Sequence, residues 1–203
     1  MKTISYCVTA WNEHEELDRL LTQLLKNKRE EDEVIVQVDI TVTEEVKNVV
    51  AKHKLLLHVF PLNNDFATFK NHIKSLATKD YYFLIDADEY LTDTLMLNLG
   101  EVLELNPDIE ILAVPRINTV EGLTQAHIDK WGWRVDENGW INYPDYQTRI
   151  CKNIPEIYWS GKVHERLVGD ASMYVMPLPE DFELIHPKDI KRQEKQNAFY
   201  DKI

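Results

Sequence analysis

The 203-residue sequence predicts an α/β fold with a mostly parallel central sheet flanked by helices. Two observations carry this expectation. The first is a repeated switch of apolar periodicity between about 2 and about 3.6 over residues 3–86, in the order β-α-β-α-β-α-β, which parallel strands joined by crossover helices produce. The second is the run YYFLI at residues 81–85, continuously apolar as a strand buried on both faces must be, which leads directly into Asp86.

Residues 3–9 read as a first strand. Residues 13–27 read as a helix, because Leu17, Leu20, Leu21, Leu24 and Leu25 fall on one face. Residues 33–39 (EVIVQVD) form a second strand, and residues 43–53 a second helix with Thr43 at its N-cap position. A third strand over 55–60 stops at Pro61. A helix over 65–78 then precedes the strand at 81–86. Beyond it the pattern loosens. Residues 109–115 read as a strand, and 117–145 as long loops or short hairpins rich in Trp, Asn, Asp and Gly. Residues 146–151 and 162–168 are short strand or helix candidates, and 189–203 a polar terminal helix.

Composition narrows the function classes. Hydrophobic residues make up 44% and charged residues 29%, as in an ordinary globular domain. The net charge of −12 opposes a broad nucleic-acid grip, which needs many phosphate-neutralising Lys and Arg. It leaves room for an anionic ligand whose contact a divalent cation mediates. No apolar run is long enough to span a bilayer, and the N-terminus shows no secretory signal. Cys7 and Cys151 suggest neither a disulfide framework nor a zinc site, so a reduced, cytoplasmic protein is the expectation.

The strongest local signal is Asp86-Ala87-Asp88-Glu89 at the end of the buried strand. Residues two apart on an extended segment point the same way, so Asp86 and Asp88 can converge on one cation. Ala87 between them is small and leaves room for a ligand. Mg²⁺ or Mn²⁺ prefers such oxygen donors and commonly bridges to phosphate. An acidic turn after a strand is the plain alternative, since 35 residues of the chain are acidic.

Several segments, in order, resemble family 2 glycosyltransferases with the GT-A fold. VTAWNEHEELDRLL (8–21) is similar to the family's opening strand, polar loop and helix. VIVQVDIT (34–41) resembles its second strand, and FKNHIKSLATKDYYFLIDADEYL (69–91) its Arg-Asn helix and Asp-x-Asp strand, with Lys70 where Arg is common. YWSGKVHERL (158–167) resembles the Gly-Gly-Phe-Asp-Glu region, with His-Glu in place of Asp-Glu. ELIHP (183–187) resembles a late strand that presents a His. The likeness is to small lipopolysaccharide-core-like or phage-type members and covers nearly the whole chain.

The resemblance implies a single domain over 1–203, with a nucleotide-sugar half at 1–92 and an acceptor half at 93–203. It implies that Thr9, Asn12, Glu13 and Asp39 bind the donor's nucleoside, with Lys70, Asn71, Asp86 and Ala87 also at the donor. Asp86, Asp88 and His186 would hold Mn²⁺ or Mg²⁺. Each has a plainer reading: helix capping for Asn12 and Glu13, a strand end for Asp39, a surface cation for Lys70, a hydrogen-bonded structural ring for His186. Glu89 either supports the metal pair or caps the next element.

An inverting transfer from a nucleotide-diphospho-sugar needs a base for the acceptor hydroxyl. Glu165 is the first candidate, with His164 orienting it, and Asp145 the second. A Glu165 paired with Lys162 or Arg166 is the alternative. Trp131, Trp133 and Trp140 either stack on sugar or fill a satellite core, whereas Trp159 reads as core. Arg116 and Arg149 either bind an anion or form buried ion pairs.

The implied activity is hexosyl or pentosyl transfer to a glycan, or to a modified base of phage DNA, which the charge opposes. A nucleotidyltransferase of similar fold is a second reading, but such enzymes open on a glycine-rich phosphate loop, and TAWNEHEE has no glycine. A catalytically silent sugar-nucleotide or glycan binder is a third.

Overall fold

The structure is a computed structural model that describes residues 1–169, 171, 173–175 and 181–200. The expected alternation is present. Strand β1 (Ile4–Ala10) leads to α1 (His14–Asn27), β2 (Glu33–Val38) to α2 (Glu44–Lys52), and β3 (Leu57–Val59) to α3 (Phe66–Leu76) and β4 (Tyr81–Asp86). The later elements are β5 (Tyr90–Leu91), α4 (Asp93–Leu105), β6 (Ile111–Glu121), α5 (Gln125–Trp131) and β7 (Asp145–Lys152). β8 (Tyr158–Ser160), β9 (Arg166–Val168), β10 (Met173–Tyr174), β11 (Leu184–Asp189) and α6 (Ile190–Tyr200) complete the described chain.

The main sheet runs in the order β3-β2-β1-β4-β7-β6-β11-β5, with β10 also on β6. Strands β1 to β4 are mutually parallel, β6 and β11 are parallel, and β7 enters antiparallel between β4 and β6. β8 and β9 form a separate antiparallel pair. The chain steps outward from β1 to β3 and then returns to the other side of β1 with β4. That reversal opens a crevice beyond the carboxyl ends of β1 and β4, where open α/β sheets receive ligands.

Strand alternation builds two cores. Ile4, Tyr6 and Val8 of β1 and Tyr81, Phe83 and Ile85 of β4 pack with leucines of α1 and α4 and valines of α2 on one face. The intervening Cys7, Tyr82 and Leu84 meet Ala67 and Ile73 of α3, with Trp159 of β8, on the other. Each such buried large side chain contributes about 1.5–3 kcal/mol. Thr9 and Asp86 continue the second row, so they point to the side where α3 lies.

The structure corrects the reading of the second half. α4 has no counterpart among the expected elements. Its apolar residues run nearly all round the helix, and Leu97 and Leu105 are 65% and 72% exposed, which blurs the 3.6 period. Thr92 starts it, its hydroxyl accepting from the Leu95 N–H at 3.4 Å. β6 runs to Glu121 rather than stopping at Pro115. Pro115 is tolerated because β10 pairs residues 111–112 and β11 pairs from Arg116 on, so neither described ladder on that edge needs its missing N–H. The stretch 117–145 holds the rest of β6, α5 and a bridge between Val135 and Ile141. In 162–168 only Arg166–Val168 is strand; Gly161 and His164 take positive φ, and the backbone turns before Glu165. Residues 201–203 of the expected terminal helix lie outside the described residues.

Candidate active site

Thr9 and Asp86 are register partners at the carboxyl ends of β1 and β4. The Thr9 hydroxyl donates to Asp86 Oδ1 at 3.0 Å, and the Ala87 N–H to the Thr9 carbonyl at 2.9 Å. Asp86 is held from the other side by Arg149 on β7, whose Nη2 donates to Oδ2 at 2.7 Å. The same nitrogen lies 3.3 Å from Glu89 Oε1. Glu89 is fully buried; its other oxygen accepts the Asp86 N–H at 3.0 Å. The acidic run is therefore folded back on itself, with Glu89 as the inner anchor.

Arg116 on β6 extends this network. It donates to Glu89 Oε1 at 3.0 Å and, through Nε and Nη2, to Asp145 Oδ2 at 3.0 and 2.8 Å. Asn118 donates to the same Asp145 oxygen at 2.8 Å, and its own amide oxygen lies 2.8 Å from His186 Nδ1. His186 Nε2 reaches Asp88 Oδ2 at 3.2 Å. Asp86, Glu89 and Asp145 thus meet two guanidinium groups, which leaves a single net negative charge before Asp88 is counted.

This electrostatic setting fixes protonation. Burial acts to raise the Asp86 pKa, but the charges of Arg149 and Lys70, with hydrogen bonds from Arg149 and Thr9, outweigh it and hold the carboxyl far below its usual range. Burial also opposes ionisation of Asp88, and the hydrogen bond and charge of His186, aided by Lys188, overcome it. Both carboxylates are ionised at neutral pH. Every contact to Asp88 among the described residues goes to Oδ2. No cluster of three or more metal-ligating side chains is present among the described residues. Asp86 and Asp88 are oxygen donors of the kind Mg²⁺ or Mn²⁺ takes, and such an ion would need phosphate oxygens or water in its remaining positions; here Asp88 Oδ2 is met instead by His186, Lys188 and Arg192.

Glu165 lies on the same side, ion-paired with Lys70 of α3 rather than with Lys162 or Arg166. Both side chains are largely buried, and the Lys70 ammonium sits 4.6 Å from the centre of the Trp159 ring. Arg149 feels the Glu165 charge and Asp86 feels that of Lys70, so this pair belongs to the same field.

The Asn71 amide is engaged within the fold. Its amide accepts the Trp159 N–H and donates to the Trp159 carbonyl, both at 2.8 Å, so it docks β8 onto α3. Replacing Asn71 with Ala strands both buried backbone groups. A loss of about 2–3 kcal/mol of unfolding free energy is expected, measured by urea denaturation.

Asp39 and Asn12 stand outside the network. Asp39 takes the N–H groups of Thr41 and Leu62 at 3.0 and 2.7 Å, fixing the loop beyond β2. Glu13 begins α1 without a side-chain cap; its Oε2 instead accepts the N–H groups of Trp11 and Asn12. Asn12 is exposed and is not the cap. Trp159 is core, as expected, whereas Trp131 and Trp133 lie against each other with ring centres 4.6 Å apart, half-buried.

Trp11 and Arg192 are among the residues that escaped the sequence reading. Trp11, 48% exposed, donates its indole N–H to the Thr41 hydroxyl at 3.0 Å beside Asp39. Arg192 of α6 reaches Asp88 Oδ2 at 3.2 Å and Glu13 Oε1 at 3.0 Å. For Arg192 the only sequence signal is proximity to His186 and Lys188, which share one face of β11 by strand alternation.

The family model described as glycosyl transferase family 2 matches residues 5–164. Among solved structures, TarS residues 1–349 from S. aureus matches with a TM-score of 0.50 and 17% identity, over 79% of this chain and 50% of that one. The mannosyltransferase PcManGT from Pyrobaculum calidifontis, in complex with GDP-Man and Mn²⁺, gives 0.47 and 18%, over 56% and 35%. Glucosyl-3-phosphoglycerate synthase from Mycobacterium tuberculosis, with Mn²⁺, UDP-Glc and phosphoglyceric acid, gives 0.45 and 15%, over 60% and 45%. The chain spans half the length of the TarS chain it matches. With TarS it shares the GT-A architecture of a mostly parallel sheet between helices.

Proposed function

The chain belongs to glycosyl transferase family 2, and on that premise we propose that it transfers a sugar from a nucleotide-diphospho-sugar to an acceptor hydroxyl with inversion. One observation carries the reading: Thr9 and Asp86 are paired at the sheet's switch point, with Asp86 and the neighbouring Asp88 both ionised. Asp86 and Asp88 would hold Mg²⁺ or Mn²⁺, which supplies Lewis-acid stabilisation of the departing diphosphate. Asp39, Asn12 and the exposed Trp11 form the outer end of the crevice, where an indole face suits a nucleobase.

In the transfer, the acceptor oxygen attacks the anomeric carbon. The bond from that carbon to the diphosphate oxygen breaks, and its electron pair leaves with the nucleoside diphosphate. The acceptor proton passes to Glu165. The geometry favours Glu165 over Asp145 for this step. Asp145 accepts from Arg116, Asn118 and Gln147 on its two oxygens, and although burial works against it, the Arg116 charge and those hydrogen bonds lower its pKa. A carboxylate so committed is a weak proton acceptor. Only Lys70 is paired with Glu165 among the described residues.

A candidate acceptor site is aromatic and polar. Arg134, Val135, Asp136, Trp140 and Tyr143 line a cavity of about 190 Å³, and Tyr143 lies two residues before Asp145. Such walls suit a sugar ring, and the net charge of −12 makes a glycan the favoured acceptor over DNA. No described helix is long and apolar enough to cross a membrane.

Calorimetry with UDP, GDP, CDP and dTDP in the presence and absence of Mn²⁺ tests the donor reading. Binding of at least one, dependent on the metal, is expected; none would remove the donor site. Glu165→Gln is expected to keep that binding and to lower transfer by roughly 10²–10⁴-fold. Undiminished turnover would move the base to Asp145.

A further inference from the structure

The segment from His186 to Arg192 turns three basic side chains onto one carboxylate oxygen. Asp88 Oδ2 lies 3.2 Å from His186 Nε2, 4.0 Å from Lys188 Nζ and 3.2 Å from Arg192 Nη2. Lys188 is buried and also donates to Gln196 Oε1 at 2.5 Å. Arg192 fans across two further acids of α1, with Nη2 3.0 Å from Glu13 Oε1 and Nη1 2.8 Å from Glu16 Oε1. Its backbone is fixed, since its N–H donates to Asp189 Oδ1 at 3.0 Å in the first turn of α6.

This arrangement conflicts with a divalent cation on Asp88 unless something else changes. A metal on either Asp88 oxygen lies within a few ångströms of that guanidinium, and the two cations repel each other. A diphosphate arriving with the metal removes the conflict. It adds negative charge beside the cation and offers the guanidinium a pair of oxygens matched to its fork. Glu13 and Glu16 would otherwise repel that diphosphate, and Arg192 offsets one of their two charges.

Resting on the donor reading above, we propose that Arg192 is a diphosphate-binding residue. In this structure it contacts Asp88, and it passes to the donor's diphosphate when metal and donor bind together, with Lys188 as the second cation of that wall. Its tether to Glu16 and the fixed backbone of α6 let the exchange proceed by side-chain rotation. Metal and diphosphate binding are then coupled through this one residue, because each frees a partner the other needs.

The test uses the full chain, with Mn²⁺ alone as one probe and inorganic pyrophosphate in saturating Mg²⁺ as the other, both by calorimetry. Arg192→Gln is expected to tighten Mn²⁺ binding and to weaken pyrophosphate binding, each by about tenfold. Arg192→Lys keeps the charge and loses the fork. It is expected to hold Mn²⁺ as the parent does and to bind pyrophosphate several-fold more weakly, and it serves if the Gln variant does not fold. Thermal melts confirm folding of both. If the substitutions weaken both ligands together, or change neither, Arg192 merely fastens α6 to α1 and the proposal falls. If the parent itself takes no pyrophosphate with metal, it is the donor site that fails; parent binding that Arg192→Gln leaves untouched overturns the Arg192 role alone.

Discussion

Asp88→Ala is expected to lower transfer by about a thousandfold or more while leaving the fold intact. The size follows from the chemistry: a Lewis acid at a departing diphosphate is worth several kcal/mol, and about 1.4 kcal/mol is tenfold in rate. Survival of the fold follows from the contacts. Each basic side chain on Asp88 has another partner: His186 has Asn118, Lys188 has Gln196, and Arg192 has Glu13 and Glu16. None is left without a hydrogen bond, so the change in thermal midpoint should be small. Calorimetry should show metal-dependent binding of nucleoside diphosphate reduced by about two orders of magnitude, with any residual binding insensitive to chelator. A variant that melts far below the parent would instead make Asp88 a structural residue.

Arg149→Met is expected to cost about 3–5 kcal/mol of unfolding free energy, the range for removing one partner of a buried ion pair. Arg149 is 5% exposed and its Nη2 serves both Asp86 and Glu89. Nε and Nη1 have no hydrogen-bond partner among the described residues, so the side chain serves as a charge more than as a fork. Methionine fills similar space without the charge. Glu89 keeps Arg116, whereas Asp86 keeps only Thr9 and the more distant Lys70 charge.

The pH dependence of that loss has a definite sign. In the parent protein the folded-state pKa of Asp86 is depressed below the unfolded value of about 3.9. Its contribution to stability is therefore complete above about pH 4 and is lost as pH falls below it. Without Arg149, burial dominates and raises the folded pKa above the unfolded one. The contribution of Asp86 then reverses: the protonated form suits the folded state, and stability is lost as pH rises through the new folded value. The stability gap between parent and variant should thus be widest near neutrality and narrow toward pH 4. Denaturation curves across that range measure it, and a gap independent of pH would show that lost packing, not charge, sets the cost.

The first half of the chain was legible because its signals are local. Alternation in β1 and β4 and the leucine stripe of α1 reflect neighbours a few residues apart. The acidic pair announced itself for the same reason, since Asp86 and Asp88 ride on one strand end. What holds them did not. Arg149 lies 63 residues from Asp86, His186 98 from Asp88, and Lys70 95 from Glu165. Nothing in a single sequence marks such pairings, and the adjacent Lys162 and Arg166 were the natural guesses for Glu165. Asn71 shows the converse: its motif was visible, but only the fold shows its amide committed to the Trp159 backbone. The residues that hold the acids of the first half, Arg116, Arg149, His186 and Arg192, all lie in the second.

The central claim is that Asp86 and Asp88 form the metal and diphosphate site of a sugar transferase, and donor hydrolysis tests it without knowledge of the acceptor. Purified protein in Mn²⁺ would be offered UDP-, GDP-, CDP- and dTDP-linked sugars, with release of the nucleoside diphosphate measured beside Asp88→Ala. Slow release from one nucleotide class, abolished by chelator and by the substitution, is the expected result. Release from none, or release that Asp88→Ala leaves unchanged, would contradict it.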